Sequence, residues 1–345
     1  MKKIQAHGVT GNVHRWIRTW LTDRQQRVAV NGKLSSWKEV LSGVPQGSVL
    51  GPILFTIFIN DLDGAATAIK IIRKFADDTK VGHGVSTPEE AGVLQECLDN
   101  LVKWAEDWGM QFNAEKCKVM HVGRSNQRFQ YSMGGVVLGE TEEEKDVGVT
   151  INKSLKPSGQ CTRAANTARG VLGQVTRAFH YRDRHVFIQL YKQYVRPHLE
   201  FAAPAWSPWL IGDVKALEDV QIQAVKMVSG LKSKDYHERL AELGMPTLEE
   251  RRREMDMVQT FKIVKGIDNV NSQDWFTKAV NRGTRGTSGL DNLVKPRSEH
   301  EYRRHFYSQR VIDDWNSLPD HVKEARNVHC FKRLYRRTRP TAGPA

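Results

Sequence analysis

With 345 residues, 39% of them hydrophobic and 26% charged, the chain is long enough to bury one large core or two ordinary ones, which excludes a disordered polymer. No run approaches the roughly 18 consecutive apolar residues of a membrane span, and the charged N-terminal segment has no signal-peptide pattern, so a soluble intracellular protein is expected. The 52 Lys+Arg against 39 Asp+Glu leave a net charge of +13, a surplus that points to a polyanion such as nucleic acid and less to a membrane surface.

Val13, Trp16, Ile17, Trp20 and Leu21 recur at helical spacing after Thr10-Gly11-Asn12, which predicts a first helix with that face in the core. Arg27 to Val30 alternates polar and apolar residues and meets Asn31-Gly32, a dipeptide suited to positive φ, before Lys33 to Val40. That pattern predicts a hairpin. Thr87 with Glu90 makes a capping box, Pro88 fits the first helical position, and Leu94, Leu98, Leu101, Ala105 and Trp108 form a stripe that Gly109 ends. The acidic run Glu140, Glu142, Glu143, Glu144 and Asp146 reads as a solvated turn. From Cys161 to Gly266 the pattern is helical, including Val186 to Leu199, Val214 to Leu231 and Leu248 to Val264. Strands early and helices late predict an α+β domain followed by a helical one. Residues 282–345 hold 14 Lys+Arg and 7 Asp+Glu, so this basic end is a candidate interaction segment.

The chemistry concentrates in two places. Ser42-Gly43-Val44-Pro45-Gln46-Gly47-Ser48-Val49-Leu50-Gly51-Pro52 has three glycines and two prolines in eleven residues, a stiff loop that a flat ligand can approach closely. Pro52 and the apolar residues after it launch a helix; no Gly-Lys-Ser/Thr follows, so this is not a phosphate-binding NTPase loop. Further on, Ile69 to Ala76 reads as a strand that runs into Asp77-Asp78 and then the short strand Thr79 to Gly82. Two adjacent carboxylates at a hairpin tip repel unless a cation neutralises them, and magnesium, which prefers oxygen ligands, suits the pair. A second pair, Asp313-Asp314, falls in a helical pattern where neighbours diverge by ~100° and cannot share a metal. Cys97, Cys117, Cys161 and Cys330 lack C-x-x-C spacing, and the twelve histidines form no metal pattern, so neither a disulfide framework nor a zinc site is expected. Trp206-Ser207-Pro208-Trp209 is either a base-stacking element or a packed helix junction, the second being favoured. Lys332, Arg333, Arg336, Arg337 and Arg339 around Tyr335 suit phosphate contacts or a nuclear import signal as well as a solvated helix end.

Gly43 to Ser48 through Phe55, then Phe58-Ile59-Asn60-Asp61-Leu62, then Phe75-Ala76-Asp77-Asp78-Thr79, taken in order, resemble the reverse transcriptases of non-LTR retrotransposons, the jockey-like and related LINE-type elements. Trp108 to Cys117 is similar to the segment after that family's catalytic hairpin, Lys145 to Val149 to its primer-grip hairpin, and Tyr191 to Trp206 with Arg303 to Pro319 to its thumb and tail. The resemblance implies a right-hand polymerase of α+β class with a partial palm, an antiparallel sheet with helices. Asp77 and Asp78 would be its catalytic ligands for a two-ion Mg2+ site. It further implies that Gly43, Pro45, Gln46 and Gly47 meet the template base or incoming nucleotide, and that Lys116 faces the departing pyrophosphate, failing which it is a surface lysine on a strand edge. The partners so implied are an RNA template, a DNA primer and dNTPs, with no membrane, and the nucleus is the expected location. The expected organisation is 1–125 partial fingers and palm, 126–155 a primer-grip-like hairpin, 156–270 a helical thumb-like region and 271–345 a basic C-terminal tail. The family's third carboxylate is expected to have no counterpart here, since the only acid before the hairpin that flanks the loop, Asp23, falls in a turn. The expectation is therefore an RNA-directed DNA polymerase segment that is inactive as an isolated chain; the alternative is a non-catalytic nucleic-acid-binding remnant or an unstable translated pseudogene product.

Overall fold

The computed structural model describes residues 1–123, 125–279 and 291–338. It divides into two compact units, Met1–Glu142 and Glu143–Ala345. Helices and short strands are mixed, as an α+β class requires, and among the described residues no helix is long and apolar enough to cross a membrane.

The first unit is built around the helix Pro88–Asp107, whose start follows from local chemistry. The Thr87 hydroxyl accepts from the Glu90 amide at 3.3 Å while the Glu90 carboxylate accepts from the Ser86 and Thr87 amides, so the orphan donors of the first turn are satisfied. Cys97, Leu98 and Leu101 bury in one cluster with Ile59, Leu62, Ala66 and Met133, which makes the larger core of this unit. A smaller cluster joins Ile4, Ile17 and Leu54. The first predicted helix forms over Gly11–Leu21, but only Ile17 of its stripe is buried: Val13 and Trp16 are 59% and 55% exposed, because nothing among the described residues packs on that end of the face. Trp16 stacks on Trp20 instead.

At the start of this unit the helix Lys2–Ala6 is held by buried Ile4 and by one cation. Lys3 Nζ donates to the Phe58 carbonyl at 2.7 Å and to Asp61 at 2.6 Å, and lies 4.7, 4.5 and 3.8 Å from the ring centroids of Phe58, Trp104 and Trp108. An ammonium boxed by three rings and a carboxylate is held by electrostatics in a site that water reaches poorly.

Strand pairing departs from the expected palm. The described strands form seven two-stranded ribbons, six antiparallel and one, Lys118–Val119 with Gly139–Glu140, parallel. No multi-stranded antiparallel sheet is formed, because no third strand supplies backbone partners to any ribbon edge. The hairpin predicted at Asn31-Gly32 is present: Ala29–Val30 pairs with Lys33–Leu34 across a turn whose two central residues both have positive φ, 49° and 79°.

The second unit opens with Glu143–Asp146 paired to Val149–Asn152 through Val147-Gly148. The acidic residues expected in a solvated turn are thus partly in a strand. Alternation puts successive charges on opposite faces of the ribbon, so the run does not prevent pairing. Helices follow at Ser158–Ala178, Ile211–Lys226 and Leu248–Val264. The helix predicted through Leu199 runs from Arg184 to Glu200 with a wider π turn at Tyr191–Val195. Tyr191, Leu199, Leu217 and Val220 are wholly buried in one core. A second core joins Phe261 of the long helix to Trp315, Phe331 and Tyr335, so the described part of the basic C-terminal segment packs by the inner face of the helix Val328–Thr338. Asp313-Asp314 lies in the helix Ile312–Asn316, as its spacing predicts, and Trp206 is buried with its indole N–H on the Phe201 carbonyl at 2.8 Å, which makes that stretch a packed junction.

Candidate active site

The acidic hairpin is the one element whose geometry follows almost directly from its residues. Ile71–Phe75 pairs with Asp78–Gly82 in antiparallel register, with Phe75 opposite Asp78, which leaves Ala76 and Asp77 as a two-residue turn. Ala76 takes φ 53°, a left-handed conformation that costs an L-residue about 1 kcal/mol, held here by the ladder on both sides. The consequence is that Asp77 sits in the turn and Asp78 opens the return strand, both exposed to solvent. Arg73 lies directly opposite Lys80 in the same ribbon. Like charges in that register repel.

The hairpin is tied to its neighbours by Lys74. Its ammonium donates to the carbonyls of Ile59 and Asn60 at 3.0 Å each and pairs with Asp63 at 3.1 Å, so it caps the C-terminal end of the helix Gly51–Ile59. The other end of that helix carries the Gly/Pro loop. Ser48 links the two: its hydroxyl donates to the Pro45 carbonyl at 2.7 Å and accepts from the Gly51 amide at 3.0 Å. A side chain at Gly51 would put a Cβ 2.7 Å from the Ser48 oxygen and 3.0 Å from the Pro45 oxygen, which explains a glycine at that position. Gly43 and Gly47 take φ 78° and 79°. Arg24 holds the loop from outside, donating to the carbonyls of Gly43 at 2.6 Å and Leu21 at 2.9 Å. Gln46 is exposed at the loop tip and Pro45 half-buried beneath it.

These parts share a helix rather than a contact. Nine residues at about 1.5 Å each separate the loop end of the helix from the Lys74 end, and neither aspartate pairs with the loop or with Lys116. Lys116 is exposed in the turn before Lys118–Val119, its amide donating to the Asn113 carbonyl at 3.1 Å; it is not on a strand edge, because that turn is closed by Asn113 before the strand begins. Asp23 lies in a bend with φ 52°. Of the basic residues near the C-terminus, Lys332, Arg333 and Arg337 are exposed, Arg336 is engaged by Glu254 at 2.7 Å, and Arg339 lies outside the described residues. Arg24 and Lys74, which hold the loop and the hairpin, left no signal in the sequence: Arg24 reaches the Gly43 carbonyl 19 positions away and Lys74 the Asn60 carbonyl 14 away.

Carboxylate oxygens are the donor type that magnesium prefers. Among the described residues, however, no group of three His, Cys, Asp or Glu is gathered that could hold a metal ion. Asp77 and Asp78 are two such carboxylates, adjacent and exposed, with no third His, Cys, Asp or Glu gathered beside them among the described residues.

Residues 1–156 match the family model described as reverse transcriptase (RNA-dependent DNA polymerase), and this part of the chain belongs to that family. The relatives make the class narrower. The chain is 27% identical over 225 residues, 62% of its length and 25% of the relative's, to the RNA-directed DNA polymerase from mobile element jockey of Drosophila melanogaster. It is 27% identical over 254 residues, 69% of its length and 27% of the relative's, to the protein of the same name from Drosophila funebris. To the probable RNA-directed DNA polymerase from transposon BS of Drosophila melanogaster it is 30% identical over 150 residues, 40% of its length and 16% of the relative's. The reverse transcriptase segment is thus of the non-LTR, LINE type, and the chain spans about a quarter of the length of the jockey relatives.

Proposed function

We propose that the chain carries part of the nucleotidyltransferase centre of an RNA-directed DNA polymerase from a non-LTR retrotransposon, acting on an RNA template, a DNA primer and dNTPs. The observation that carries the reading is the acidic hairpin: a strained two-residue turn sets two carboxylates at an exposed tip, with Arg73 and Lys80 on its flank. Asp77 and Asp78 are read as ligands for Mg2+, whose role when bound is to neutralise charge on the transferring phosphoryl group. The Gly43 to Gly47 loop is read as the wall against template base and nucleotide, and exposed Lys116 as a charge partner for pyrophosphate. Residues 1–125 are assigned to fingers and palm, 126–155 to a primer-grip-like hairpin, 156–270 to a thumb-like region and 271–345 to a basic segment that grips backbone phosphates, with Lys332, Arg333, Arg336, Arg337 and Arg339 as contacts. Nuclear location follows from this substrate.

Catalysis of this type rests on positioning, and two carboxylates without a third donor hold two ions poorly. The isolated chain is therefore read as non-catalytic and as retaining nucleic-acid binding. Primer extension on an RNA template with magnesium, beside an Asp77→Asn control, tests it. The expected result is no extension above the control, with salt-sensitive binding of the duplex retained. Extension abolished by Asp77→Asn would overturn the inactivity; loss of both activities would leave only common ancestry.

A further inference from the structure

The second unit contains a cavity of about 160 Å3 between Ser207-Pro208, the helix Leu248–Val264 and the segment around Arg310 and Asp314. Charged side chains dominate its wall, and almost all of them are spoken for. Arg310 grips Asp256 with two hydrogen bonds of 2.9 and 2.8 Å and gives its remaining donors to the carbonyls of Pro204 and His305. Arg253 is shared between Glu249 and Asp314, at 3.4 Å from each. Arg252 is the exception. It is 3% exposed, yet its Nη1 and Nη2 have no hydrogen-bond partner.

The carboxylates whose fields reach Arg252 are Glu218, Glu249 and Asp256. Glu218 accepts from Tyr236 and from the Leu248 amide, Glu249 from Arg253 and Asp256 from Arg310, so each is committed elsewhere. Burial pushes the Arg252 guanidinium below its usual range, but an arginine stays protonated in a protein. The molecule thus keeps a buried cation with a planar fork of unused donors beside a cavity. Buried guanidinium donors left without hydrogen bonds are a cost that an acceptor in the cavity would relieve.

We propose that this cavity is a binding site for one singly charged phosphoryl oxyanion, with the Arg252 fork as its bidentate donor. The charge balance limits that ligand: the wall carboxylates Glu249, Asp256 and Asp314 are matched by Arg252, Arg253 and Arg310, so the wall is neutral and tolerates one added negative charge far better than two. The shape of the fork selects it as well, since two parallel N–H groups suit two oxygens of one phosphoryl group. The Nη atoms are closed off from water, so the ligand enters as the Arg253 side chain, 44% exposed, swings aside from its two carboxylates. Inorganic phosphate and a phosphodiester in a strand share this chemistry. The site lies outside residues 1–156 and does not rest on the polymerase reading.

The test uses the full chain and two probes, inorganic phosphate and a short oligothymidylate, each titrated by calorimetry against chloride at matched ionic strength. Phosphate is expected to bind and to raise the melting temperature, with affinity at least tenfold weaker in Arg252→Met and weakened to a lesser degree in Arg252→Lys, which keeps the charge and loses the fork. Without phosphate, Arg252→Met is expected to melt at or above the unsubstituted chain, because an apolar side chain replaces buried donors that lack hydrogen bonds; if that variant fails to fold, Arg252→Lys carries the comparison. Competition of oligothymidylate with phosphate would make a strand the source, and phosphate binding without competition would make it the free ion; either upholds the site. Phosphate no better than chloride, or equal shifts in the unsubstituted chain and the variants, would overturn it.

Discussion

Replacing Phe331 by alanine tests whether the basic C-terminal helix is part of the fold or an appendage. Phe331 is fully buried; its ring centroid lies 4.5 Å from Phe261, 6.2 Å from Trp315 and 6.0 Å from Tyr335, all near-parallel. Removing a buried phenylalanine costs about 3–5 kcal/mol through lost transfer energy and the cavity left behind. Three ring partners at these distances, each worth about 0.5–1.5 kcal/mol beyond area, place this site toward the upper end, at about 4–5 kcal/mol. Against a typical domain stability of about 5–15 kcal/mol, such a loss brings this core close to unfolding at room temperature. Urea unfolding followed by far-UV circular dichroism, with Phe331→Leu as the milder control, measures it. A loss below about 1 kcal/mol would refute the reasoning, since it would mean that the helix does not dock as described.

Changing Lys332, Arg333 and Arg337 together to glutamine should leave that stability nearly unchanged, because all three are exposed, and should lower the slope of log K against log salt for duplex binding by about 2–3 if each meets a phosphate; an unchanged slope would remove them from the interface. Gly51→Ala should destabilise the first unit by about 1–3 kcal/mol despite the better helix propensity of alanine, since the new Cβ displaces the Ser48 hydroxyl and presses on the Pro45 carbonyl; hydrogen exchange at the Gly51 amide reports it, and unchanged protection would count against the Ser48 clasp. Asp291 is raised by burial, but hydrogen bonds from Lys265 and Lys278 outweigh this and hold it below the usual carboxylate range. A depressed pKa contributes stability above the unfolded value of about 3.9, lost as pH falls through the folded value. Asp291→Asn should therefore lose stability at pH 7 and much less at pH 2, and equal losses at both would contradict the ion pairs.

Local signals in the sequence were reliable wherever a few consecutive residues decide the outcome. Thr87, Pro88 and Glu90 start a helix, Asn31-Gly32 turns a hairpin, and Asp77-Asp78 falls at a hairpin tip because strand residues flank it on both sides. The order of loop, helix and acidic hairpin was equally legible and identified the family of residues 1–156. What resisted reading depends on partners far along the chain. Arg24 on the loop, Lys74 on the helix end and Arg310 on Asp256 join residues 14 to 54 positions apart, and nothing in the neighbourhood of an arginine announces which carbonyl or carboxylate it will find. The exposed Val13 and Trp16 show the converse, an apolar stripe correctly placed on a helix whose outer end meets no partner.

The box around Lys3 gives the first residues of the chain a weight that their length would not suggest. Three rings and the Asp61 carboxylate accept one compact ammonium, so this docking is selective in a manner resembling a reader of modified lysines turned on its own chain. Acetylation of Lys3 would remove the charge that all four groups hold, and the broader guanidinium of arginine would not sit on the same centre. The two tryptophans in the box, Trp104 and Trp108, close the helix that also carries the Thr87 cap at its other end. Occupancy of the box by the N-terminal lysine is therefore a built-in optical reporter, readable as tryptophan emission, of whether this unit has closed on its own beginning.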